Sequence, residues 1–374
     1  MRIFWSGNIA AAEGALKAGC KFFAAYPITP ASDLMIYMAQ HIVRMGGVFV
    51  QAEDEIAAIN MVIGASWAGV KAMTATSGPG FSLMQEGIGY AVMTETPLVI
   101  VDVMRAGPAT GQASKAAQGD ILQARWGRHG DQAVVVYAPS TPCEAYLLTI
   151  EAFNTAEELR VPVIVAYDEL VAHTWESFDV PESITVKNRV YAKPGDKPFD
   201  SDDPRKAPPM PKLGEGFNVL VTGSTHDAYG YRFTASHEIH NRLVRRLVGK
   251  VILNANKLFK YEELFYSSKP NILIVSYGSS ARNAIIAAQT LQKEGVKDVG
   301  VLKLKTLWPL DEGYLRSILS FSKKVLVVEM NLGQLYYDIE RLAPRECKVE
   351  LVSKIGGGIP IYPEEIMDKV LGVT

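Results

Sequence analysis

Apolar and polar positions along this chain alternate between a two-residue rhythm and a helical one, in two blocks separated by a stretch where both rhythms fade. In the first block, small and apolar residues predict a helix over 7–19, stopped by Gly19, and a strand over 21–26. Pro27-Ile28-Thr29-Pro30 then makes a rigid turn before a helix over 31–45. Further strands are predicted at 48–50, 71–76, 98–104, 134–137 and 162–167, and further helices after 77–81, at 120–127 and at 143–159. Such alternation reads as βαβ units around a mainly parallel sheet. A loop of glycine and small polar residues fills 106–119.

One helix in this block stands out. The stretch 51–69 reads QAEDEIAAINMVIGASWAG and carries no charge from Ile56 to Trp67. A helix apolar on every side is expected to be buried on every side. Three carboxylates, Glu53, Asp54 and Glu55, stand at its mouth. Acidic residues in a first turn ordinarily cap free backbone N–H groups and complement the helix dipole, which accounts for Glu53 and Asp54. Glu55 instead shares a face with Ile59 and Val62, so it is the carboxylate expected among core residues, where burial shifts protonation most.

From 176 to 216 the periodicity gives way to prolines, lysines and aspartates, most clearly at 193–204, and this reads as an extended connection. Residues 226–246 are charged with helical spacing, and hold His226, His237 and His240. His237 and His240 have a spacing compatible with metal, but nothing nearby completes a site, so solvated or core roles are the plainer reading. A second α/β block begins near Asn271, with strands at 272–278, 299–304 and 325–329 and a helix at 281–294. Tyr277-Gly-Ser-Ser-Ala281 follows its strand as a phosphate loop would, yet lacks the GxGxxG spacing, so a strand-to-helix turn is the simpler reading. Ile355-Gly-Gly-Gly-Ile-Pro360 can either approach a ligand or another backbone closely, or serve as a turn before a last helix. The expected organisation is a first domain over 1–175, a linker and helical connection over 176–265, and a second domain over 266–374.

Composition narrows the function classes. At 374 residues two or three domains are expected. Charged residues make up 21% and hydrophobic ones 48%, enough for large cores with apolar surface to spare for a subunit interface. A formal net charge of -2 gives no global attraction to nucleic acid or anionic membrane. No apolar run reaches the roughly 18 residues of a membrane span, and Gly7 comes too early for a signal-peptide core. Cys20, Cys143 and Cys347 form no CxxC pair, which argues against disulfides, structural zinc or an iron–sulfur cluster held by this chain alone. A cytoplasmic protein is the expectation.

Ligands of open α/β sheets bind beyond the carboxyl ends of the strands. Four stretches are expected there: 26–30, 51–55, 76–80 and 105–108. Together they would bring a carboxylate, hydroxyls, backbone N–H groups and the Arg105 guanidinium to one crevice. Such a set suits a small carboxylate-bearing substrate, which an arginine can clamp in two parallel hydrogen bonds while a threonine hydroxyl adds a third. There is no HExxH, no GxxxxGK[ST] and no serine-hydrolase elbow.

The ensemble of YPITP at 26–30, EDEIAA at 53–58, TSGPGF at 76–81, a strand ending in arginine followed by GPxTG at 107–111, and ARWGxHGD at 124–131 resembles the alpha subunit of 2-oxoacid:ferredoxin oxidoreductases. The separate-subunit type acting on 2-oxoglutarate or branched-chain 2-oxoacids is the nearest likeness, and it covers nearly the whole chain. The resemblance implies a doubly wound, pyrimidine-type thiamine-diphosphate-binding domain followed by a transketolase C-terminal-like α/β domain. It further implies that Glu55, nine residues before Gly64, hydrogen-bonds the aminopyrimidine ring nitrogen, that Thr29 and Arg105 hold the 2-oxoacid carboxylate, and that Tyr26, Pro27 and Ile28 line the pyrimidine. The implied reaction is coenzyme A-dependent oxidative decarboxylation, foremost of 2-oxoglutarate to succinyl-CoA, with electrons passed to ferredoxin. Branched-chain acids, aryl pyruvates, pyruvate, or a non-catalytic assembly role stay open.

The chain departs from the wider thiamine-diphosphate fold in having no Gly-Asp-Gly; Gln118-Gly-Asp-Ile121 and His129-Gly-Asp-Gln132 lack the third glycine and are not assigned to metal. The resemblance therefore implies that a beta subunit supplies the diphosphate and Mg²⁺ half-site. It likewise implies that gamma and ferredoxin-like delta subunits complete the complex, with the iron–sulfur clusters on partner subunits. Residues 112–118, QASKAAQ, also differ from relatives, which often carry proline and threonine there; Lys115 hints at a distal carboxylate, though a solvated loop lysine is the plainer reading.

Overall fold

The structure, a computed structural model, describes residues 1–265, 269–296 and 298–372. In the first sheet the strands run in the order Thr306–Trp308, Val135–Tyr137, Pro162–Asp168, Leu98–Ala106, Lys71–Thr76, Cys20–Ala25 and Val48–Gln51. All neighbours are parallel except the first pair. Lys71–Thr76, Leu98–Ala106 and Pro162–Asp168 are buried throughout, as strands covered on both faces must be. The helices Glu55–Trp67 and Gln85–Met93 cover one face through Ile59, Ile63 and Ile88. Gly7–Lys17, Ser32–His41 and Pro142–Leu159 cover the other through Ala11, Leu34 and Phe153.

The second sheet runs Tyr261–Phe265, Val299–Leu304, Ile272–Ser276, Lys324–Glu329, Lys348–Ser353, with only the first strand antiparallel. Leu273, Leu302 and Val325 on one of its faces belong to the same apolar cluster as Ile59 and Ile88 of the first unit. Thr306–Trp308 also returns to pair antiparallel with Val135–Tyr137. The two units are therefore packed into one continuous core.

Three findings differ from the sequence expectations, the first being that the helical spacing at 226–246 becomes a helix only from His237, running on to Ile252. Gln112–Ala116, expected as loop, is a strand antiparallel to the end of Leu98–Ala106. The helix Glu55–Trp67 is not buried on every side: Ile56 is 50% and Met61 38% exposed, with Asn60 and Gly64 beside them. Its uncharged outer stripe has no covering element among the described residues, so absence of charge marks surface here as well as core.

The segment after Pro162–Asp168 pairs Trp175–Asp179 with Arg2–Ser6, then runs largely irregular to the helix His237–Ile252. Buried charge, rather than apolar periodicity, pins it. The Arg160 Nη1 donates to the carbonyls of Pro198 (2.7 Å), Pro208 (3.2 Å) and Pro209 (3.1 Å). Arg189 pairs with Glu157 and donates to the Ser66 carbonyl at 2.8 Å. Arg246 grips both oxygens of the fully buried Glu95 at 2.6 and 2.7 Å, and Lys250 reaches one at 2.8 Å.

The seam between the units is held by Gln118, which is fully buried and fully satisfied. Its Nε2 donates to Asp168 Oδ2 at 2.9 Å and to the Tyr277 carbonyl at 3.2 Å. Its Oε1 accepts from the Ser280 hydroxyl at 3.0 Å and the Met330 N–H at 2.9 Å. Its own N–H and carbonyl bond to the Met330 carbonyl at 3.0 Å and Asn331 Nδ2 at 2.6 Å. Asp168 also accepts from the Ser279 N–H at 2.9 Å, in the first turn of the helix Gly278–Lys293. The turn at 277–281 thus presents its free N–H groups to a carboxylate of the first unit. Gly278, at φ +56, leaves no room for a side chain: a Cβ would lie 2.5 Å from Gln118 Nε2 and 2.7 Å from Asp168 Oδ2.

Replacing Gln118 by Ala orphans buried groups on both sides of the seam and is expected to cost roughly 3 kcal/mol. Denaturant unfolding should then separate into two transitions; an unchanged single transition would refute the role. Burial alone would raise the Glu95 pKa, but Arg246 and Lys250 hold it well below the ordinary carboxylate range. Its stabilisation is therefore full above the ordinary glutamate pKa and is lost as pH falls through the depressed folded value. Glu95→Ala should destabilise by about 3–5 kcal/mol at neutral pH, with the deficit narrowing in acid, as read by urea unfolding across pH.

Candidate active site

The carboxyl ends of the first sheet converge where the helix Glu55–Trp67 begins. Asp54 caps that helix, its Oδ1 accepting from the Ala57 N–H at 2.7 Å. Glu55, one residue on, turns inward and is only 5% exposed. It lies against the turn that follows Lys71–Thr76: a Cβ on Gly80 would fall 2.3 Å from Glu55 Oε1 and 2.3 Å from Thr76 Oγ1. Glycine at 80 is thus required for the glutamate and threonine oxygens to lie against this turn. Burial and the Asp54 carboxylate raise the Glu55 pKa, against the opposing pull of its own helix backbone and Arg105. The result is a carboxyl that keeps its proton more readily than a free glutamate.

Arg105 stands at the end of Leu98–Ala106, 6% exposed. Its Nη1 donates to the Thr29 carbonyl at 2.8 Å and its Nη2 to the Thr110 carbonyl at 3.1 Å, and no carboxylate among the described residues pairs with it. Thr29 therefore meets Arg105 through its carbonyl and leaves its hydroxyl free on an exposed residue. Thr29–Pro30 and Gly107–Pro108 are both cis, and Asn8 secures the Pro30 carbonyl at 2.9 Å. Of the other expected site residues, Tyr26 is 40% exposed, Pro27 is exposed and Ile28 is half-buried, with Ile28 packing on the core beneath the far face of the sheet. The structure brings Arg105 onto Thr29 directly and close enough to Glu55 for its charge to act there, while Tyr26 and Pro27 are exposed on the turn that precedes Thr29.

A cleft of about 420 Å³ opens beside this crevice between the two units, lined among others by Gly78, Arg105, Pro108, Asp120, Asn331 and Gly356. Gly356, Gly357 and Gly358 all have left-handed backbone, at φ 64, 71 and 67. They lie over the strand Gln112–Ala116: the Gly357 N–H donates to Gln112 Oε1 at 2.6 Å, and a Cβ on Gly358 would meet the Lys115 Cδ at 2.9 Å. The triple glycine is thus a close approach of one unit to the other rather than a free turn. Lys115 itself is exposed. Away from the cleft, His226 is buried with Nδ1 against the Ser224 carbonyl, His240 bonds the Thr225 hydroxyl, and the three cysteines are free.

Sequence reasoning placed Thr76 in a site stretch and met Gln118 and Asp120 only in a stretch not assigned to metal; it missed Asp102 altogether. The available signal was an aspartate inside the otherwise apolar run LVIVDVM at 98–104. A buried carboxyl beside a glycine that a Cβ would fill, with an unpartnered Thr76 hydroxyl next to it, fits the aminopyrimidine end of thiamine diphosphate. Among the described residues no group of three His, Cys, Asp or Glu side chains could hold a metal ion.

A doubly wound parallel sheet with such a crevice, packed on a second α/β unit, defines the thiamine-diphosphate-binding class. Residues 13–246 match the family model described as pyruvate flavodoxin/ferredoxin oxidoreductase, thiamine diphosphate-binding, and residues 271–366 match the pyruvate:ferredoxin oxidoreductase core domain II. The chain belongs to the 2-oxoacid:ferredoxin oxidoreductase family, on the alpha-subunit side. It is 48% identical, over 99% of both chains, to the 2-oxoglutarate synthase subunit KorA of Methanocaldococcus jannaschii. It is 37% identical to the ketoisovalerate oxidoreductase subunit VorB of Methanothermobacter thermautotrophicus, over 98% of this chain and 97% of that one. Among solved structures, the 2-oxoglutarate:ferredoxin oxidoreductase of Magnetococcus marinus, with 2-oxoglutarate, coenzyme A and succinyl-CoA bound, superposes with a TM-score of 0.92 at 34% identity. That match covers 99% of this chain and 65% of the other. A split-gene transketolase at 14% identity and TM-score 0.56 shares the fold.

Gly80→Ala forces Glu55 and Thr76 apart. Overpacking of this kind is expected to cost about 1–3 kcal/mol and to weaken thiamine diphosphate binding at least tenfold, measured calorimetrically on the assembled complex. Wild-type affinity in that variant would contradict the geometry.

Proposed function

We propose that this chain is the alpha subunit of a 2-oxoglutarate:ferredoxin oxidoreductase, making succinyl-CoA from 2-oxoglutarate and coenzyme A and passing the electrons to ferredoxin. The observation that carries this reading is the proximity of Glu55, whose pKa burial raises, to an Arg105 whose guanidinium hydrogen-bonds only backbone carbonyls among the described residues. Relatives named 2-oxoglutarate synthase stand at 43–48% identity and those named for ketoisovalerate at 36–37%, which supports 2-oxoglutarate as substrate.

In this reading Glu55 holds its proton against a ring nitrogen of the aminopyrimidine, and Tyr26 and Pro27 line that ring while Ile28, expected there too, anchors the turn in the core. Arg105 clamps the 2-oxoacid carboxylate, and the Thr29 hydroxyl adds a further donor. Thiamine diphosphate, when bound, supplies the electron sink for decarboxylation. The low dielectric around Arg105 strengthens its hold on the carboxylate and excludes competing water. Residues 1–175 carry the pyrimidine-recognising face, 176–265 fasten the helix His237–Ile252 to it, and 266–374 close the cleft. A beta subunit brings the diphosphate and Mg²⁺ half-site and covers the exposed stripe of the helix Glu55–Trp67. Gamma and ferredoxin-like delta subunits complete a cytoplasmic complex, with the iron–sulfur clusters on partner subunits.

The test is to purify the chain with its co-purifying subunits and follow viologen reduction with 2-oxoglutarate, 2-oxoisovalerate and pyruvate, each with coenzyme A. Turnover should be fastest with 2-oxoglutarate; inactivity on all three would sink the enzyme reading. Glu55→Gln should assemble normally yet lower turnover roughly 10²–10⁴-fold, and near-normal rates would refute its role.

A further inference from the structure

Asn8 sits in the first turn of the helix Gly7–Lys17 and is fully buried, where an amide is tolerated only if its hydrogen bonds are met. The start of that helix is fixed on two sides. The Ser6 hydroxyl caps it by accepting from the Ile9 N–H at 3.3 Å, and a Cβ on Gly7 would lie 2.2 Å from the Val171 carbonyl oxygen, so glycine is what lets the helix approach that segment. From this position Asn8 Nδ2 donates to the Pro30 carbonyl at 2.9 Å, and Asn8 Oδ1 accepts from the Tyr167 hydroxyl at 3.0 Å. A carbonyl can only accept, so the Pro30 oxygen fixes which end of the amide faces it, and the other end takes the phenol as donor. Tyr167 is itself fully buried, and burial holds its phenol in the protonated, donating form.

Pro30 belongs to the turn that carries Thr29. The Ala31 N–H closes that turn on the Ile28 carbonyl at 2.9 Å, and Ile28 and Ala31 pack in one apolar cluster with Tyr167. Each of the two carbonyls between them is taken by a buried side chain: that of Pro30 by Asn8, and that of Thr29 by Arg105 Nη1 at 2.8 Å. An unbroken path thus runs from Tyr167 through Asn8 and the Pro30–Thr29 turn to Arg105, with every hydrogen bond at 3.0 Å or less. Tyr167 directly precedes Asp168, which bonds Gln118 and Ser279 at the seam. Successive strand residues point to opposite faces, so one strand end serves the seam through Asp168 and this turn through Tyr167.

We propose that Asn8 and Tyr167 are positioning residues for the substrate: they fix the Thr29–Pro30 turn and, through the Thr29 carbonyl, the direction in which Arg105 presents its guanidinium to the 2-oxoacid carboxylate. This inference rests on the reading of Arg105 given above. Nη1 and Nη2 each use one N–H on a carbonyl, which leaves one on each nitrogen for a carboxylate. The second support, the Thr110 carbonyl at 3.1 Å, comes from a different turn, and a planar fork held by one carbonyl alone can swing about that bond. Two fixed acceptors define its plane. Loss of Asn8 orphans the buried Pro30 carbonyl; the turn relieves this by moving toward water, and the Thr29 carbonyl moves away from Arg105 with it.

In the assembled complex loaded with thiamine diphosphate, Asn8→Ala should raise KM for 2-oxoglutarate roughly tenfold with kcat within about twofold, the split expected when a binding contact is displaced and the chemistry is not. Tyr167→Phe, which removes one oxygen and keeps the Asn8–Pro30 bond, should raise KM about threefold. In an Arg105→Lys background, whose own KM is raised, Asn8→Ala should add less than about twofold, because the fork it orients is gone. A general loss of packing would instead multiply the two effects, and full multiplication overturns the proposal, as does a wild-type KM in Asn8→Ala. If Asn8→Ala fails to assemble, Tyr167→Phe, alone and combined with Arg105→Lys, decides in the same way. A crystal structure of the substrate-free variant complex gives a reading independent of turnover: Arg105 should have left the Thr29 carbonyl, and a guanidinium still 2.8 Å from it ends the inference. A wild-type KM in Arg105→Lys would defeat the functional reading of Arg105, while the variant structure would still decide whether the turn follows Asn8.

Discussion

The rest of this structure depends on the requirement that a buried polar group be satisfied, and Gln118 is where that requirement is met across the seam. Its amide has two donors and an acceptor with two lone pairs, and all are used on groups from strand ends and turns of both units. A rotation of one unit against the other would orphan several of these at once, which is costly in a medium of low dielectric. The seam is consequently rigid at the depth of Gln118, and the cleft above it has a fixed floor. The triple glycine at 356–358 then sets the height of its wall, by coming close to Gln112 and Lys115 in a left-handed backbone that favours glycine. Both ends of the candidate site are thus positioned by contacts between residues far apart in sequence.

This distribution explains what was legible in the sequence. The parallel sheet was legible because each buried strand needs a continuous apolar run, and each βα turn needs small residues at its end. Glu55 was legible because its charge falls on a face shared with Ile59 and Val62, and Arg105 because it ends an apolar strand. Gln118 was not: its partner Met330 lies 212 residues away, and a glutamine in a glycine-rich stretch carries no sign of what it will meet. The edge strand Thr306–Trp308 was hidden for the same reason, since its pairing depends on a sheet built entirely by the other half of the chain. The link between the units resisted pattern reading because Arg160, Arg189 and Arg246 bond carbonyls and carboxylates, and such contacts have no period.

Buried charge is handled in two opposite ways within one domain. Glu95 is surrounded by cations and stays ionised, so it works as a structural anchor for the helix His237–Ile252. Glu55 and the Asp102–Asp120 pair have too little cation around them, so burial favours their protonated forms. The same residue chemistry therefore yields a clamp in one place and carboxyls inclined toward their neutral form in another. What separates them is the supply of positive charge: Arg246 and Lys250 are committed to Glu95, while Arg105 is committed to none of the three carboxyls.

That last point bears on substrate binding. An arginine already paired with a carboxylate of its own chain would have to give up that pair to accept another, and the exchange would gain little. Arg105 is held instead by two carbonyls, which orient the guanidinium without neutralising it. Its excess positive charge is retained in a poorly hydrated crevice, where an incoming carboxylate is stabilised more than it would be in water. The raised pKa of Glu55 serves the same end, because an ionised carboxylate there would compete for Arg105. A glutamate inclined toward its neutral form and an available arginine are therefore a single electrostatic arrangement, and loss of either would disturb the other.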